Sequence, residues 1–406
     1  MMFAFGVVLF ALGIGISVAL HEAGHMWTAQ KLGMKVRRYY IGFGPKIFSW
    51  RRGETEYGLK AIPAGGFCDI AGMTAVDELA PDEVDRAMFK QKTWKRLIVM
   101  FGGIGMNFVL GFALVFALAL GWGLPDRETA PTAQVGGLSC AAPTQAQDGS
   151  LSACSGPGPA QQAGLQQGDV ITSVNGTSTP TSDDVVSALQ PLTGTVELGI
   201  TRDDRQVTLP VQLQQVQRYV KSESGELTST TVGAVGMSIA TVGPPNIRYN
   251  VLTAIPGSLS YTGYIFGQTA HAIVQLPAKV GALWTAVTGG ERDVNTPISV
   301  VGASVIGGQA AERGLWEVFV GLLATLNFFL GAFNLLPLLP LDGGHIAVTI
   351  YEGIRNKLRF RKGLPAGRPV DYMKLMPATY VVIIAGGAFM LLTLTADIVN
   401  PIQLFR

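Results

Sequence analysis

Apolar and polar positions sort this 406-residue chain into long uncharged runs separated by polar stretches. Met2–Leu20 is the first such run, followed by Leu97–Pro125, Val318–Leu341 and Leu375–Ala396. At about 1.5 Å per residue, each is long enough as a helix to cross roughly 30 Å of hydrocarbon. The pattern therefore predicts four spans. No basic segment opens the first run and no small-residue cleavage site closes it, so it reads as a span and not a secretory signal. After it, Val36–Trp50 and Thr55–Phe67 are rich in β-formers and aromatics on either side of Arg51-Arg52-Gly53-Glu54, which predicts a β-hairpin. Pro244–Glu317 carries shorter apolar stretches. One of them, Ile273–Val287, is interrupted by Pro277, Lys279 and Gly281, a pattern expected of an interfacial amphipathic segment.

Composition agrees with this pattern. The chain is 48% hydrophobic and 14% charged, against about 25% charged in soluble domains. Four uncharged runs exclude an ordinary soluble core. The net charge of +2 says little, but its distribution orients the chain. Residues 31–96 carry 13 basic and 8 acidic side chains, and residues 346–374 carry 7 and 2. Residues 123–317 carry 9 and 15. Basic loops stay inside. The two shorter segments are thus expected on the cytoplasmic side, with the long middle region and both termini outside. The basic run Arg355–Lys362 suits anionic lipid better than nucleic acid, and the chain shows no phosphate-binding loop and no nucleic-acid module.

The chemistry lies at the edges of two runs. His21-Glu22-Ala23-Gly24-His25 follows the first. In HExxH on a helix, the two histidines share one face and can hold one zinc ion, while the glutamate serves as general base on a bound water. The third run ends at Leu341-Asp342-Gly343-Gly344-His345. With the charge map, both motifs fall at the same membrane face, so Asp342 is the expected third ligand, leaving one position open for water. Three scattered cysteines supply no alternative zinc site. His345 is read as a helix-start or substrate-facing residue, and His271 as a surface histidine.

HEAGH together with Asn334-Leu335-Leu336-Pro337 and LDGGH resembles the site-2 protease family of intramembrane metalloproteases over nearly the whole chain. Pro63–Met73 and Thr296-Pro297-Ile298-Ser299-Val300 look closest to its actinobacterial members. The resemblance implies one Zn2+ held by His21, His25 and Asp342, with Glu22 as the catalytic base. It implies that Asn334 holds the substrate backbone or the developing oxyanion. Gly103-Ile104-Gly105-Met106-Asn107 stands where the family often has Gly-Pro-x-x-Asn, which makes Asn107 a candidate polar contact of the same kind. The missing proline is a departure from that pattern. In the family, the hairpin dips into the membrane beside the site, where its edge could pair with an unwound substrate strand.

Pro159–Ile171, followed by Val174-Asn175-Gly176, resembles a PDZ module, with Ser182–Gln190 as the helix beside its peptide groove. Cys140 and Cys154 precede it. An oxidising compartment permits a disulfide between them, and free or partner-linked thiols are the alternative. The expected architecture is a polytopic α-helical membrane protein, with four transmembrane helices and a membrane-associated β-hairpin, plus an extracytoplasmic α+β PDZ-like domain. The divisions are 1–124 for the N-terminal metalloprotease half, 125–243 for the PDZ-like domain, 244–317 for the interfacial segment and 318–406 for the C-terminal half. The expected function is zinc-dependent cleavage within the bilayer of a single-span protein already trimmed by a site-1 protease, which the resemblance identifies as an anti-sigma factor. A housekeeping protease of signal-peptide remnants, or a PDZ scaffold with a dead metal site, are the alternatives.

Overall fold

The computed structural model describes residues 1–74, 77–146, 150–221, 227–290 and 292–402. It divides into two compact units, Met1–Leu124 with Arg248–Arg406, and Pro125–Ile247. In the first unit, the opening apolar run continues without a break through HEAGH as one 30-residue helix, α1 (Met2–Lys31). Gly33, at φ 83°, stops it, because glycine enters the left-handed region without a Cβ penalty.

Strands β1 (Val36–Arg52) and β2 (Thr55–Ile70) then form the expected hairpin, turning at Gly53. The pairing goes further than a simple hairpin. Arg38–Ile41 is flanked by Glu56–Leu59 on one side and by Gly66–Asp69 on the other, while Lys46–Arg52 pairs with Thr55–Lys60. Both strands therefore fold over on themselves, and Gly66–Ile70 is left at an edge. Helix α2 (Thr93–Gly121) follows, and then the two-residue strand β3 (Leu124–Pro125).

The second unit contains β4 (Thr132–Leu138), α3 (Pro159–Gln162), β5 (Val170–Val174), β6 (Thr177–Ser178) and α4 (Ser182–Leu189). It continues with β7 (Thr195–Arg202), β8 (Arg205–Gln212), β9 (Gln214–Lys221), β10 (Leu227–Ala234), β11 (Met237–Val242) and β12 (Asn246–Ile247). One sheet runs β11-β4-β5-β7-β8, with β6 on β5. Its core is built by Val135, Ile171, Leu198 and Ile200 against Val185 and Leu189 of α4. Asn175 and Gly176, both at positive φ, make the β5–β6 turn. Asp169 is locked by a fork from Arg202, at 2.7 and 2.6 Å. Cys140 and Cys154 are bonded, with Cα atoms 5.9 Å apart. Their loop leans on β9, where Gln217 N–H donates to the Pro143 carbonyl and Arg218 to that of Ala142.

The first unit resumes with α5 (Val251–Gln275), α6 (Val280–Val287), α7 (Val300–Glu312), α8 (Trp316–Asn334), α9 (Asp342–Arg361) and α10 (Met376–Val399). One expectation changes here. The third apolar run is not one helix to Leu341. Helix α8 ends at Asn334, seven residues turn, and Asp342 opens a new helix. Within residues 244–317, where the interfacial segment is expected, lie α5, α6 and α7, and α7 is buried along most of its length. Gly307, Gly308 and Ala311 are buried, and their small size lets α7 lie close along Gly6 and Phe10 of α1. Among the described residues, α1, α2, α8 and α10 are long and apolar enough to cross a membrane.

Candidate active site

His21 and His25 lie one helical turn apart on α1, and both are buried. Asp342, the first residue of α9, meets them from the far end of the chain. Its Oδ2 is 3.1 Å from His21 Nε2 and 3.2 Å from His25 Nε2, and the two Nε2 atoms are 3.2 Å apart. Three donors held this close form a nearly equilateral triangle. A tetrahedral ion with bonds near 2.0 Å separates its ligands by about 3.3 Å, so the donor set and its spacing fit zinc. Among the described residues, this is the one cluster of three such donors.

The opposite ring nitrogens show how the histidines are oriented. His25 Nδ1 lies 2.8 Å from the Val99 carbonyl of α2 and donates to it, leaving Nε2 as a lone pair aimed at the triangle. His21 Nδ1 lies 3.2 Å from the Asn107 side-chain amide. Asn107 is 1% exposed, and its Oδ1 has no partner. Turned over, the same amide presents Oδ1 as acceptor to a His21 Nδ1–H, the tautomer that a metal-bound Nε2 requires. The orphaned oxygen is thus itself an observation that fits a metal in the triangle. Asn107, expected at the substrate, is placed by the structure behind His21.

Glycine makes this approach feasible. A Cβ on Gly24 would strike the Gly102 carbonyl, and one on Gly103 would strike the His25 ring. Helices α1 and α2 therefore touch backbone to backbone at the level of the histidines. One turn earlier on α1, Ser17 accepts a 3.0 Å bond from Asn327 of α8, and both are fully buried. Neither residue was singled out from the sequence, although a polar side chain inside an apolar run was the available signal.

Glu22 sits between the histidines and faces the hairpin. Its carboxylate lies near the Cys68 main chain, and Gly66 packs on its side chain. Tyr39 ties the same strands to α1 through a 2.7 Å bond to the Ala19 carbonyl. The edge Gly66–Ile70 thus runs past the candidate base. Asn334 is half-buried at the end of α8, and among the described residues no hydrogen bond joins it to the triangle. His345 stacks on Tyr372 and lies 3.1 Å from its hydroxyl, outside the triangle. His271 is exposed and pairs with Gln275.

Asp342 is held in place from behind. Arg96 at the start of α2 and Glu352 of α9 form a buried pair at 2.6 Å. The other Glu352 oxygen accepts from Val370 N–H at 2.6 Å. Close packing of Gly343 and Gly344 on the main chain of residues 335–339 sets the first turn of α9.

Residues 9–378 match the sequence profile of peptidase family M50. The chain is similar to zinc metalloprotease Rip1 of Mycobacterium tuberculosis (strain ATCC 25618 / H37Rv), at 52% identity over 100% of both chains. It is similar to Rip1 of Mycolicibacterium smegmatis at 50%, again over 100% of both. Zinc metalloprotease RasP of Bacillus licheniformis is 26% identical over 98% of each chain.

Proposed function

The chain belongs to peptidase family M50, the site-2 protease family of multi-pass membrane zinc metalloproteases, and from that premise we propose that it hydrolyses a peptide bond in or near the transmembrane segment of a pre-trimmed single-span membrane protein. The observation that carries this reading is the triangle of His21, His25 and Asp342 with Glu22 beside it, joined to helices apolar enough to span. Zinc held by these three residues supplies Lewis-acid polarisation of the scissile carbonyl and lowers the pKa of a water there. Glu22 takes that water's proton as it attacks and returns it to the departing amide nitrogen. Asn107 and the Val99 carbonyl hold the two imidazoles in the required tautomer.

A helical substrate hides its carbonyls, so it must unwind before attack. The Gly66–Ile70 edge beside Glu22 supports strand pairing as the means of holding it extended, and Asn334 is proposed to contact its backbone. In the second unit, the edge strand β11 lies beside α4, with Ser182 bonded to Thr241. That placement supports a PDZ-like groove for a trimmed substrate end. The Cys140–Cys154 bond supports an oxidising, extracytoplasmic position for this unit. By the resemblance of its motifs, the substrate is proposed to be an anti-sigma factor.

The test is Glu22→Gln in the full chain, with a single-span reporter whose outer domain has been removed. The rate is expected to fall by about 10²–10⁴-fold while zinc content stays at one per chain. Cleavage at the parental rate would refute the assignment. Equal processing of an anti-sigma reporter and of signal-peptide remnants would favour the housekeeping role.

A further inference from the structure

The two basic segments of this chain differ in one respect that composition does not show. In and after the hairpin many of the cations have acidic partners: Lys35 with Asp82, Arg37 with Glu83 and Asp77, Arg38 with Asp69, Lys46 with Glu56, Arg86 with Glu54; Arg51, Arg52 and Lys60 at its turn and outer strands have none among the described residues. In α9 and the turn after it, Arg355, Lys357, Arg359, Arg361 and Lys362 have no carboxylate within ion-pair distance among the described residues. The one acid inside α9 beyond its first turn, Glu352, is buried and taken by Arg96.

Helix α9 is also amphipathic in an unusual direction. Ile346, Thr349 and Glu352 face α2. On the face turned away, Ile350, Ile354 and Leu358, spaced by four, are exposed, as is Tyr351. Arg355 and Arg359 donate to the carbonyls of Arg368 and Pro365, which leaves Lys357, Arg361 and Lys362 exposed without an acidic partner. An exposed apolar stripe flanked by cations that no acid neutralises is the pattern of a helix lying in a charged lipid surface. The neighbouring end of α2 is marked by Lys92, an exposed Trp94 and Lys95, the residue types that gather at headgroup level. Gly353 packs on Thr93 at that same end.

We propose that α9 docks on anionic phospholipid headgroups, and that this docking steadies Asp342, its first residue, in the metal triangle. The second half of the inference rests on the metal-site reading given above. Lipid charge would then tune how tightly the site holds its ion.

The experiment uses the full zinc-loaded chain in vesicles of phosphatidylcholine alone or with phosphatidylglycerol added. A photo-crosslinking residue, Leu358→benzoylphenylalanine, reports what the stripe touches, and the rate at which a chelator strips zinc reports the triangle. With phosphatidylglycerol present, crosslinks to that lipid and slower zinc loss are expected together, both weakening as salt is raised. The variant K357Q/R361Q/K362Q should lose the lipid preference, by about fivefold for each cation removed, and strip at one rate in both vesicles. Crosslinks to protein instead of lipid, or a triple variant that responds as the parent does, would overturn the proposal. Lipid crosslinks that follow charge while zinc loss stays constant would overturn the coupling to Asp342. A chain that binds no zinc in any vesicle would sink the metal-site reading and leave docking to be judged by the crosslinks.

Discussion

At the scale of single residues, the site was legible where its chemistry is local. His21, Glu22 and His25 occupy one turn of one helix, so their spacing alone states what they can do together. Asp342 was legible because an acid at the edge of an apolar run is costly without a purpose. Asn107 could be found as a polar residue in α2, but nothing in a sequence says which partner an amide will meet. The structure puts it on His21. From this, Asn107→Ala is expected to weaken zinc binding by about 10- to 100-fold while leaving the helices intact. Competition with a graded chelator measures it, and parental affinity would remove Asn107 from the ligand-orienting role. Gly103 carries the complementary lesson. Its value is the space it leaves for the His25 ring, which only coordinates reveal.

At the scale of elements, hydrophobicity located helices better than it located their ends. Residues 318–341 are uncharged throughout, so hydropathy hid the break after Asn334 and only Pro337 and Pro340 signalled it, and α7 was missed because thirteen residues, seven of them Gly, Ala or Ser, are too few to read as a span. The break matters because it lets Asp342 begin a helix of its own. The buried Arg96–Glu352 pair fixes that helix to α2. Removing one partner leaves the other charged and buried, so Glu352→Ala should cost about 3–5 kcal/mol. The loss should be seen as a lower melting temperature of the solubilised chain and faster zinc release; an unchanged melting curve would contradict the argument. The hairpin has its own anchor. Arg37 bonds Glu83 at 2.5 and 3.0 Å and holds that carboxyl down at about 2, from an ordinary 4.5. A depressed acid stabilises the fold above its unfolded pKa and loses that contribution as pH falls through the folded one. Melting temperature should therefore drop between about pH 5 and pH 2, and this part of the drop should vanish in Glu83→Gln.

At the scale of the whole molecule, the order of apolar and polar stretches gave the spans and the separate polar unit, while the pairing of β11 with β4 across a hundred residues had no local signal. The disulfide belongs to this scale, because it closes a loop of the second unit that leans on β9. In the chain-entropy account a loop of this length adds about 3 kcal/mol. Cys140→Ser with Cys154→Ser should lower the denaturant midpoint of that unit by a corresponding amount and leave zinc content alone. A parental midpoint would show the bond to be energetically idle. The metal triangle, finally, joins His25 to a residue 317 positions further along. A ribosome making this chain emits the two histidines and the base first and the aspartate near the end. Until α9 has emerged and settled on α2, the growing polypeptide holds an incomplete ligand set. On the proposed reading, the last stretch of translation completes the site, and a chain cut short before Asp342 is expected to hold no zinc.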